Sequence, residues 1–296
     1  MTSAAAAVDA IREDKPVGLW ADAFRRMRRS PAAIIGGSIV GFFVLVAIFA
    51  PFLAPFDPTR GNLGDSYLPP GPEHWFGTNI QGQDVLSRII FGSRLTLGIA
   101  VLSVAIGVSV GAFFGALAGY FRGWVDSLIM RGVDIMLSIP GLLFAIGVVT
   151  WLGRGVVQIA IAIAVVNIPI FARLLRSSLL GLREADYVIA ARSVGVRGPT
   201  LLVRHMLPNA IGPLIVQGTL ALATAVVDAA ALGFLGLGPP DPRTPEWGTM
   251  LSDTYRYLNQ AIWLAFFPGI AIVLSVLGFN LLGDGMREAL DPRLRR

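Results

Sequence analysis

The chain of 296 residues combines 54% hydrophobic with only 15% charged residues, and its mean hydropathy is +0.68. Soluble domains carry about 25% charged residues, so the composition excludes an ordinary soluble protein and indicates an integral membrane protein. The absence of cysteine excludes disulfides, zinc–thiolate sites and cysteine nucleophiles. The net charge of +5 does not indicate nucleic-acid binding, because the basic residues are distributed as in a membrane protein.

Six stretches approach or exceed the roughly 20 apolar residues that a membrane-spanning helix needs. They cover residues 32–53, 95–120, 132–152, 155–173, 208–236 and 259–283. The sequence therefore predicts an all-α integral membrane protein with six transmembrane helices. The first stretch is longer than the core of a signal peptide and is expected to be retained. Pro140 and Pro169 predict local kinks in the third and fourth spans, and Gln83 to Phe91 is predicted as a short helix at the membrane surface.

Lysine and arginine are unevenly distributed between the segments that connect these spans. If the N-terminus is inside, the inner segments carry eighteen basic residues and the outer segments carry six. The positive-inside rule then places both termini in the cytoplasm, together with the polar stretch 181–210.

Small residues recur every four positions along the second span, and residues four apart share one face of a helix. Such a face lets another membrane helix approach closely. It is predicted to be a packing surface and consists of Ser103, Gly107, Gly111, Gly115 and Gly119.

Polar residues also fall inside the spans. Gln217, Thr224 and Asp228 are separated by seven and four residues, so they share a face of the fifth span. A carboxylate within a span usually faces a partner or a water-filled cavity. This face is therefore either part of a translocation path or a polar subunit contact. Asp134, early in the third span and close to the cytoplasmic edge, is a further path candidate, or it pairs with Arg131 or is hydrated.

The sequence lacks the motifs of several catalytic classes. No G-x-x-x-x-G-K-[ST] phosphate-binding motif is present, and Lys15 is the only lysine. His74 and His205 lack the spacing of a metal site. No paired carboxylates lie at membrane depth, so no catalytic residue, metal or cofactor is expected in this chain. The chain has no convincing internal repeat of the kind found in ion-coupled carriers. If it transports a solute, it therefore needs an energy source and a second membrane subunit from other proteins.

The stretch from Arg183 to Val194 consists of good helix formers and ends at Gly195, a suitable C-terminal cap. Its small residues form a low surface that fits a groove on another protein, although a simple amphipathic surface helix is the alternative. The residues expected to couple this chain to such a partner are Glu184, Asp186, Tyr187, Ala190, Ala191, Val194, Gly195, Leu207 and Pro208.

This segment resembles the "EAA" loop of binding-protein-dependent ABC importers: E-A-A, three residues, Gly, nine residues, then hydrophobic-x-Leu-Pro. Ala190, Ala191 and Gly195 match the pattern, and His205-Met206-Leu207-Pro208 completes its spacing. Ile189 stands where the family has glutamate. His205 replaces the usual isoleucine, but the "RH-x-LPN" form from Arg204 is similar to the peptide-transport branch.

Other stretches are also similar to dipeptide and oligopeptide permeases. Phe76 to Leu97 resembles the segment G-T-D-x-x-G-R-D-V-x-S-R-x-x-x-G-x-R, with Asn79 in place of aspartate and Gln83 in place of arginine. "RGVDIMLSIPGLLFAI", "GFLGLGPPDPRTPEWGTML" and "FNLLGDGMREALDPRLR" look like the second, "C", permease subunit of that branch.

The resemblance implies a type I ABC importer permease fold in the cell membrane. It implies a cytoplasmic N-terminal segment (1–30), a first helix with an extracytoplasmic loop (31–94), a core (95–285) that contains the coupling loop 174–207, and a cytoplasmic tail (286–296).

The implied partners are a homologous permease that forms a heterodimer, two subunits that bind ATP and Mg, and an extracytoplasmic peptide-binding protein. Trp75, Phe76 and Trp247 are expected to face that binding protein. The implied substrate is a peptide. Two alternatives stay open at this point: an importer of the same architecture for nickel or another small solute, and a membrane scaffold or channel without a transport role.

Overall fold

The computed structural model describes residues 24–290, and this part of the chain is helical, with a single isolated bridge between Thr78 and Asp84. Its main helices are α1 (Pro31–Leu53), α2 (Val85–Phe121), α3 (Gly123–Ser138), α4 (Gly141–Leu152), α5 (Val156–Leu182), α6 (Asp186–Ser193), α7 (Gly198–Leu201), α8 (Leu207–Leu232), α9 (Trp247–Thr254) and α10 (Trp263–Leu290). Wide helical turns, Leu202–Met206 and Gly233–Leu237, flank α8. Most of the predicted N-terminal segment and the end of the predicted tail lie outside the described residues.

Within residues 24–290, five helical segments are long and apolar enough to cross a membrane: α1, α2, α5, the segment Gly198–Leu237 that contains α7 and α8, and α10. A sixth span results if α3 and α4, which meet at an angle of 96°, are counted together. The bend falls at Ile139-Pro140, because proline cannot donate its backbone nitrogen and disfavours helical geometry in the residue before it. The all-α, six-span expectation is confirmed in this form. Pro169, by contrast, lies within α5 without ending it.

The predicted surface helix from Gln83 to Phe91 is wrong. Helix α2 begins at Val85 and continues without interruption to Phe121, so these residues form its first turns. The carboxylate of Asp84 fixes this start, since it accepts hydrogen bonds from the amide (2.7 Å) and the hydroxyl (2.7 Å) of Ser87. With no proline downstream, the capped helix propagates directly into the span.

The small-residue stripe of α2 lies against α5. A Cβ at Gly111 would stand 2.6 Å from the carbonyl oxygen of Ile168, and one at Gly115 would stand 2.5 Å from that of Ala172. Gly107 and Gly119 also face α5, where an added Cβ would stand 2.9 Å from Asn167 and 3.1 Å from Leu179, and Ser103 is fully buried. Any side chain larger than hydrogen at 111 or 115 would therefore push the two helices apart.

Helices α1 and α10 also meet through small residues: a Cβ at Gly278 would stand 2.7 Å from Ile39. The alternation of the spans gives the bundle two ends. We call the end formed by residues 24–30, 122 and 183–206 the arginine-rich end. We call the end formed by residues 54–84, 153–155 and 238–262 the loop end.

At the loop end, a buried arginine connects two separate loops. Arg88 donates hydrogen bonds to the carbonyl oxygens of Pro58 (3.2 Å) and Pro242 (3.2 Å), which lie on either side of it. It also donates to the side-chain oxygen of Gln83, which in turn accepts from the amide of Asn79 at 2.9 Å. Asn79 and Gln83 are the two positions at which the sequence departs from the D…R pattern of peptide permeases. The structure shows that they hydrogen-bond to each other, so a neutral amide pair stands where that pattern has opposite charges.

This pairing predicts that the two positions are energetically coupled. Gln83→Arg should destabilise the protein by about 2–4 kcal/mol, because a second cation would be buried beside Arg88 without a carboxylate. Adding Asn79→Asp should recover most of the loss. Thermal unfolding of the single and double variants measures this, with Asn79→Asp alone as the matched control. Additive effects of the two substitutions would contradict the coupling.

Candidate coupling segment and translocation face

The segment that the sequence singled out is a short helix held against the arginine-rich end of the bundle. After α5 ends at Leu182, one turn leads into α6, whose Val188 side chain is completely buried in the core. The residues on the other side of α6 are exposed: Tyr187 by 40%, Ile189 by 50% and Val194 by 81%. Helix α6 is thus anchored on one face and presents an aromatic and aliphatic surface on the other.

The C-terminus of α6 has the hydrogen bonds of a Schellman cap. Gly195 adopts φ +83°, its amide donates to the carbonyl of Arg192 (3.0 Å), and the amide of Val196 donates to that of Ala191 (3.1 Å). A side chain at position 195 would be strained because L residues rarely adopt this conformation. Gly195 therefore ends the helix sharply and turns the chain toward α7.

A direct contact connects α6 with the base of α8. The hydroxyl of Tyr187 lies 3.5 Å from the carbonyl oxygen of His205, which also accepts from the amide of Asn209 at 2.7 Å. Burial raises the pKa of Tyr187, so it stays a neutral donor. From Gly198 onward the chain is helical through the wide turn into α8. Displacement of α6 would be transmitted to α8 through this contact and through the short connection.

The other residues expected to couple lie on or beside this surface. Those that are exposed are Glu184, Asp186, Ala190 and Pro208, while Ala191 and Leu207 are half-buried. Ile189, at the position where the resemblance has glutamate, presents an apolar side chain instead of a carboxylate.

Asp134 and Arg173 form an ion pair at 2.5 Å between α3 and α5. Arg131 is not the partner, and the real partner lies 39 residues away, so sequence neighbourhood pointed to the wrong arginine. Both side chains are more than half exposed, by 60% for Asp134 and 53% for Arg173. Charges on a spanning helix are costly in lipid, so this exposed pair marks a face that meets water or another protein.

Gln217, Thr224 and Asp228 occupy one side of α8, where Thr224 is exposed and the other two are half-buried. Thr224 donates only to the backbone of its own helix, to the carbonyl of Ala221 at 3.0 Å. Within the described residues, neither Gln217 nor Asp228 has a hydrogen-bond partner. Among residues 24–290, this side of α8 therefore makes no side-chain hydrogen bond to another helix.

Sequence reasoning missed a second ion pair near the arginine-rich end. Arg176 and Asp126 form a two-point contact, with distances of 2.5 and 2.6 Å, between α5 and α3. Fifty residues separate them, and no local pattern relates them. The only signal was that each is a charged residue within or beside a span.

Sequence reasoning also missed Glu246, which is fully buried and caps α9. Its carboxylate accepts from the amides of Gly248 (2.9 Å) and Thr249 (2.8 Å) and from the hydroxyl of Thr96 (3.2 Å) on α2. Burial raises the pKa of Glu246, although the hydrogen bonds act to lower it. The acidic residue directly before a short helix was the available signal.

The three aromatic residues expected to face a binding protein differ in how far they are exposed. Trp247 is completely buried and donates from its indole to the carbonyl of Ile89 at 3.0 Å, so its assignment to an external contact is wrong for this conformation. Phe76 is half-buried, with its ring stacked on that of Phe267 at 3.9 Å. Only Trp75 is presented to the outside, with 69% of it exposed.

The fold and these features define an all-helical, multi-pass membrane protein. Residues 111–296 match the family described as the inner membrane component of binding-protein-dependent transport systems, and residues 18–70 match the N-terminal transmembrane domain of oligopeptide transport permease C. The chain belongs to this family of ABC importer permeases.

Two relatives match over nearly their whole length. The dipeptide transport system permease protein DppC of Alkalihalophilus pseudofirmus is 44% identical over 94% of this chain and 91% of its own length. The glutathione transport system permease protein GsiD of Escherichia coli is 41% identical over 98% and 95%. Among solved structures, the MetNI methionine ABC transporter in inward-facing conformations matches with a TM-score of 0.60 at 20% identity, covering 70% of this chain and 97% of its own. That structure supports the fold alone.

The cysteine-free chain allows a direct check of the three aromatic positions. A single cysteine at 75 should react quickly with a maleimide in the folded protein, whereas one at 247 should react only after denaturation, because that side chain is buried. Labelling rates followed by mass spectrometry measure this, and the melting temperature of each variant serves as the control. Rapid labelling at 247 in a variant that melts like the parent protein would contradict the buried position.

Proposed function

We propose that this chain is a permease subunit of an ATP-driven importer of short peptides. The observation that carries the proposal is the high similarity, over nearly the whole chain, to permeases named for dipeptides and for glutathione. Both names denote solutes that combine peptide bonds with charged termini. No relative reported above is named for nickel or another metal, so the peptide substrate is favoured over that alternative. Membership of the permease family removes the alternative of a scaffold without a transport role.

The proposed orientation places the arginine-rich end in the cytoplasm. Arg122, Arg183, Arg192, Arg197 and Arg204 are among the basic residues at that end, and an excess of arginine is typical of cytoplasmic segments. The loop end then faces the side from which solute arrives. This orientation puts α6 where it can meet an ATPase, which supplies the nucleotide site that the sequence lacks.

The proposed coupling site is the exposed face of α6. Two ATPase subunits bind ATP and Mg in this proposal, and each permease docks on one of them. The groove of the ATPase would cover Tyr187, Ile189 and Val194, whose exposure is otherwise unexplained for residues of this type. Because Val188 is buried and Tyr187 contacts the base of α8, closure of the ATPases would move α8 together with α6.

The proposed path for the solute runs along the polar side of α8 and the exposed ion pair between α3 and α5. Gln217 and Asp228 lack partners within the described residues, and Asp134 and Arg173 pair on an exposed surface. A homologous permease would pack against this face and enclose a hydrated passage. Exposed Trp75 at the loop end is the proposed contact for the extracytoplasmic peptide-binding protein.

The coupling site predicts a strong effect of bulk and charge at the end of α6. Gly195→Arg combined with Ala191→Glu should lower peptide-stimulated ATPase activity of the assembled transporter about tenfold, within the usual range of coupling free energies. The physical reason is a blocked docking surface.

Gly153→Arg is the matched control, because Gly153 also has a positive φ (+92°) and open space around it but lies at the opposite end of the bundle. Equal losses in both variants would indicate backbone strain rather than docking and would contradict the proposed site. Full ATPase activity in the variant that combines Gly195→Arg with Ala191→Glu would also contradict the proposed site.

The substrate class is tested on the assembled transporter in proteoliposomes. Uptake of a radiolabelled dipeptide should depend on ATP and on the binding protein, and it should be unaffected by a large excess of Ni²⁺. Mass spectrometry of the solute bound to the purified complex identifies its natural cargo. ATP-dependent accumulation of nickel without peptide uptake would assign the chain to the alternative class.

A further inference from the structure

A cavity of about 760 Å³ lies at the arginine-rich end, between the last turn of α2 and the segment that follows α5. Its wall contains three arginines, Arg122, Arg183 and Arg192, and one carboxylate, Glu184. The cavity has the size of a small-molecule site. With all four groups ionised, its lining carries an excess of positive charge.

The three arginines are not neutralised by the rest of the described chain. Arg183 donates only to a backbone oxygen, that of Tyr120 at 3.0 Å. None of the three takes part in an ion pair with a described carboxylate. Burial lowers the pKa of Arg183, and the charges of Arg122 and Arg192, which line the same cavity, lower it further. An anion in the cavity would relieve this repulsion.

The backbone at Arg122 is a second observation. This residue has φ +54° and ψ −176°, a combination that is unfavourable for any residue except glycine. It forms the single-residue break between α2 and α3, where glycine would fit without strain. The position nevertheless holds an arginine that lines the cavity. A side-chain role explains why an arginine is present at a position suited to glycine.

The surroundings of the cavity indicate the kind of anion. Phe121 lines it and is 58% exposed, and Trp124 in the next turn is 77% exposed. Both lie at the ends of spanning helices, where aromatic residues mark the level of lipid headgroups. Basic pockets between transmembrane helices on the cytoplasmic side bind phosphate-bearing headgroups. A carboxylate of a docked ATPase would also pair with arginine. The cavity begins within the last turn of α2, beside exposed aromatic residues, and this position favours a lipid headgroup over the ATPase.

We propose that this cavity binds the phosphate headgroup of an anionic phospholipid, with Arg122, Arg183 and Arg192 as its ligands. The lipid would occupy the junction between α2 and the segment leading to α6, so that its binding stabilises this segment against the bundle. The assignment to the inner leaflet rests on the orientation proposed above, whereas the binding chemistry does not.

Native mass spectrometry of the purified full chain tests the proposal, with phosphatidylglycerol or phosphatidylcholine added in equal amounts. The wild-type chain should retain phosphatidylglycerol preferentially. Arg122→Gln combined with Arg192→Gln should weaken that retention about tenfold, because each arginine near a membrane surface contributes to the attraction of anionic lipid. Arg154→Gln, which removes an exposed arginine at the loop end, should leave it unchanged.

Arg122→Gly separates a binding role from a structural one. It should raise the melting temperature in the absence of anionic lipid, because it relieves the unfavourable backbone conformation, while it weakens retention of phosphatidylglycerol. No preference for phosphatidylglycerol in the wild-type chain, or equal retention by the double variant, would overturn the proposal. Competition by inorganic phosphate at equal concentration would assign the site to a free anion and overturn the lipid. Loss of the bound lipid on addition of the ATPase subunits would assign the arginines to that partner.

A single cysteine in place of Val194 tests the orientation separately. A membrane-impermeant maleimide should label it in inverted vesicles from cells without the ATPase subunits, which would otherwise cover Val194, and it should not label it in intact cells. Labelling in intact cells together with specific phosphatidylglycerol binding would refute the orientation and leave the site. Labelling only in inverted vesicles, together with no specific binding of phosphatidylglycerol, would refute the lipid site and leave the proposed function.

Discussion

The contact on which the rest of the structure depends is the close approach of α2 and α5. Four glycines of α2 let the backbones meet, and a Cβ at Gly115 would stand 2.5 Å from a carbonyl oxygen of α5. In a membrane, helices associate through such packing because lipid provides no hydrophobic driving force between them. The contact also limits relative motion, since a gap of a fraction of an ångström already forfeits much of the dispersion energy. Helices α2 and α5 are therefore expected to move as one body.

That body extends to both ends of the protein. At the loop end, the first turns of α2 carry Arg88 and Thr96, which hold the loops around Pro242 and Glu246 through buried hydrogen bonds. At the other end, α5 leads directly into the segment that contains α6. A force applied at α6 thus acts on α8 through Tyr187 and on the α2–α5 body through the chain itself. This arrangement gives a physical route between the proposed ATPase contact and the proposed binding-protein contact, which lie at opposite ends of the spans.

The sequence was sufficient for those features that depend on local pattern. Apolar length predicted the spans, four-residue spacing revealed the glycine face, and Gly195 marked the end of α6. Features that depend on distant residues were out of reach: Asp134 pairs with Arg173 rather than Arg131, and Trp247 fills a space above Gly92 instead of facing outward. Chain proximity pointed to the wrong arginine, and aromatic character alone does not distinguish a surface contact from a buried anchor. The start of α2 was misplaced because amphipathic first turns resemble a separate interfacial helix.

The polar groups that remain without partners are informative about the assembly. At the loop end, the buried charged groups have hydrogen-bond partners within the chain. Arg88 donates to carbonyl oxygens, and Glu246 accepts from amides and a hydroxyl. Within residues 24–290, Gln217 and Asp228 on α8 have no such partners, and the ion pair of Asp134 is left exposed. A face of this kind would be unfavourable against lipid, and water or a second protein removes the penalty. The polar side of α8 and the surface around the ion pair thus each have the chemistry of an internal surface. This is the property expected of the proposed subunit, which forms only half of a hydrated pathway together with a second permease.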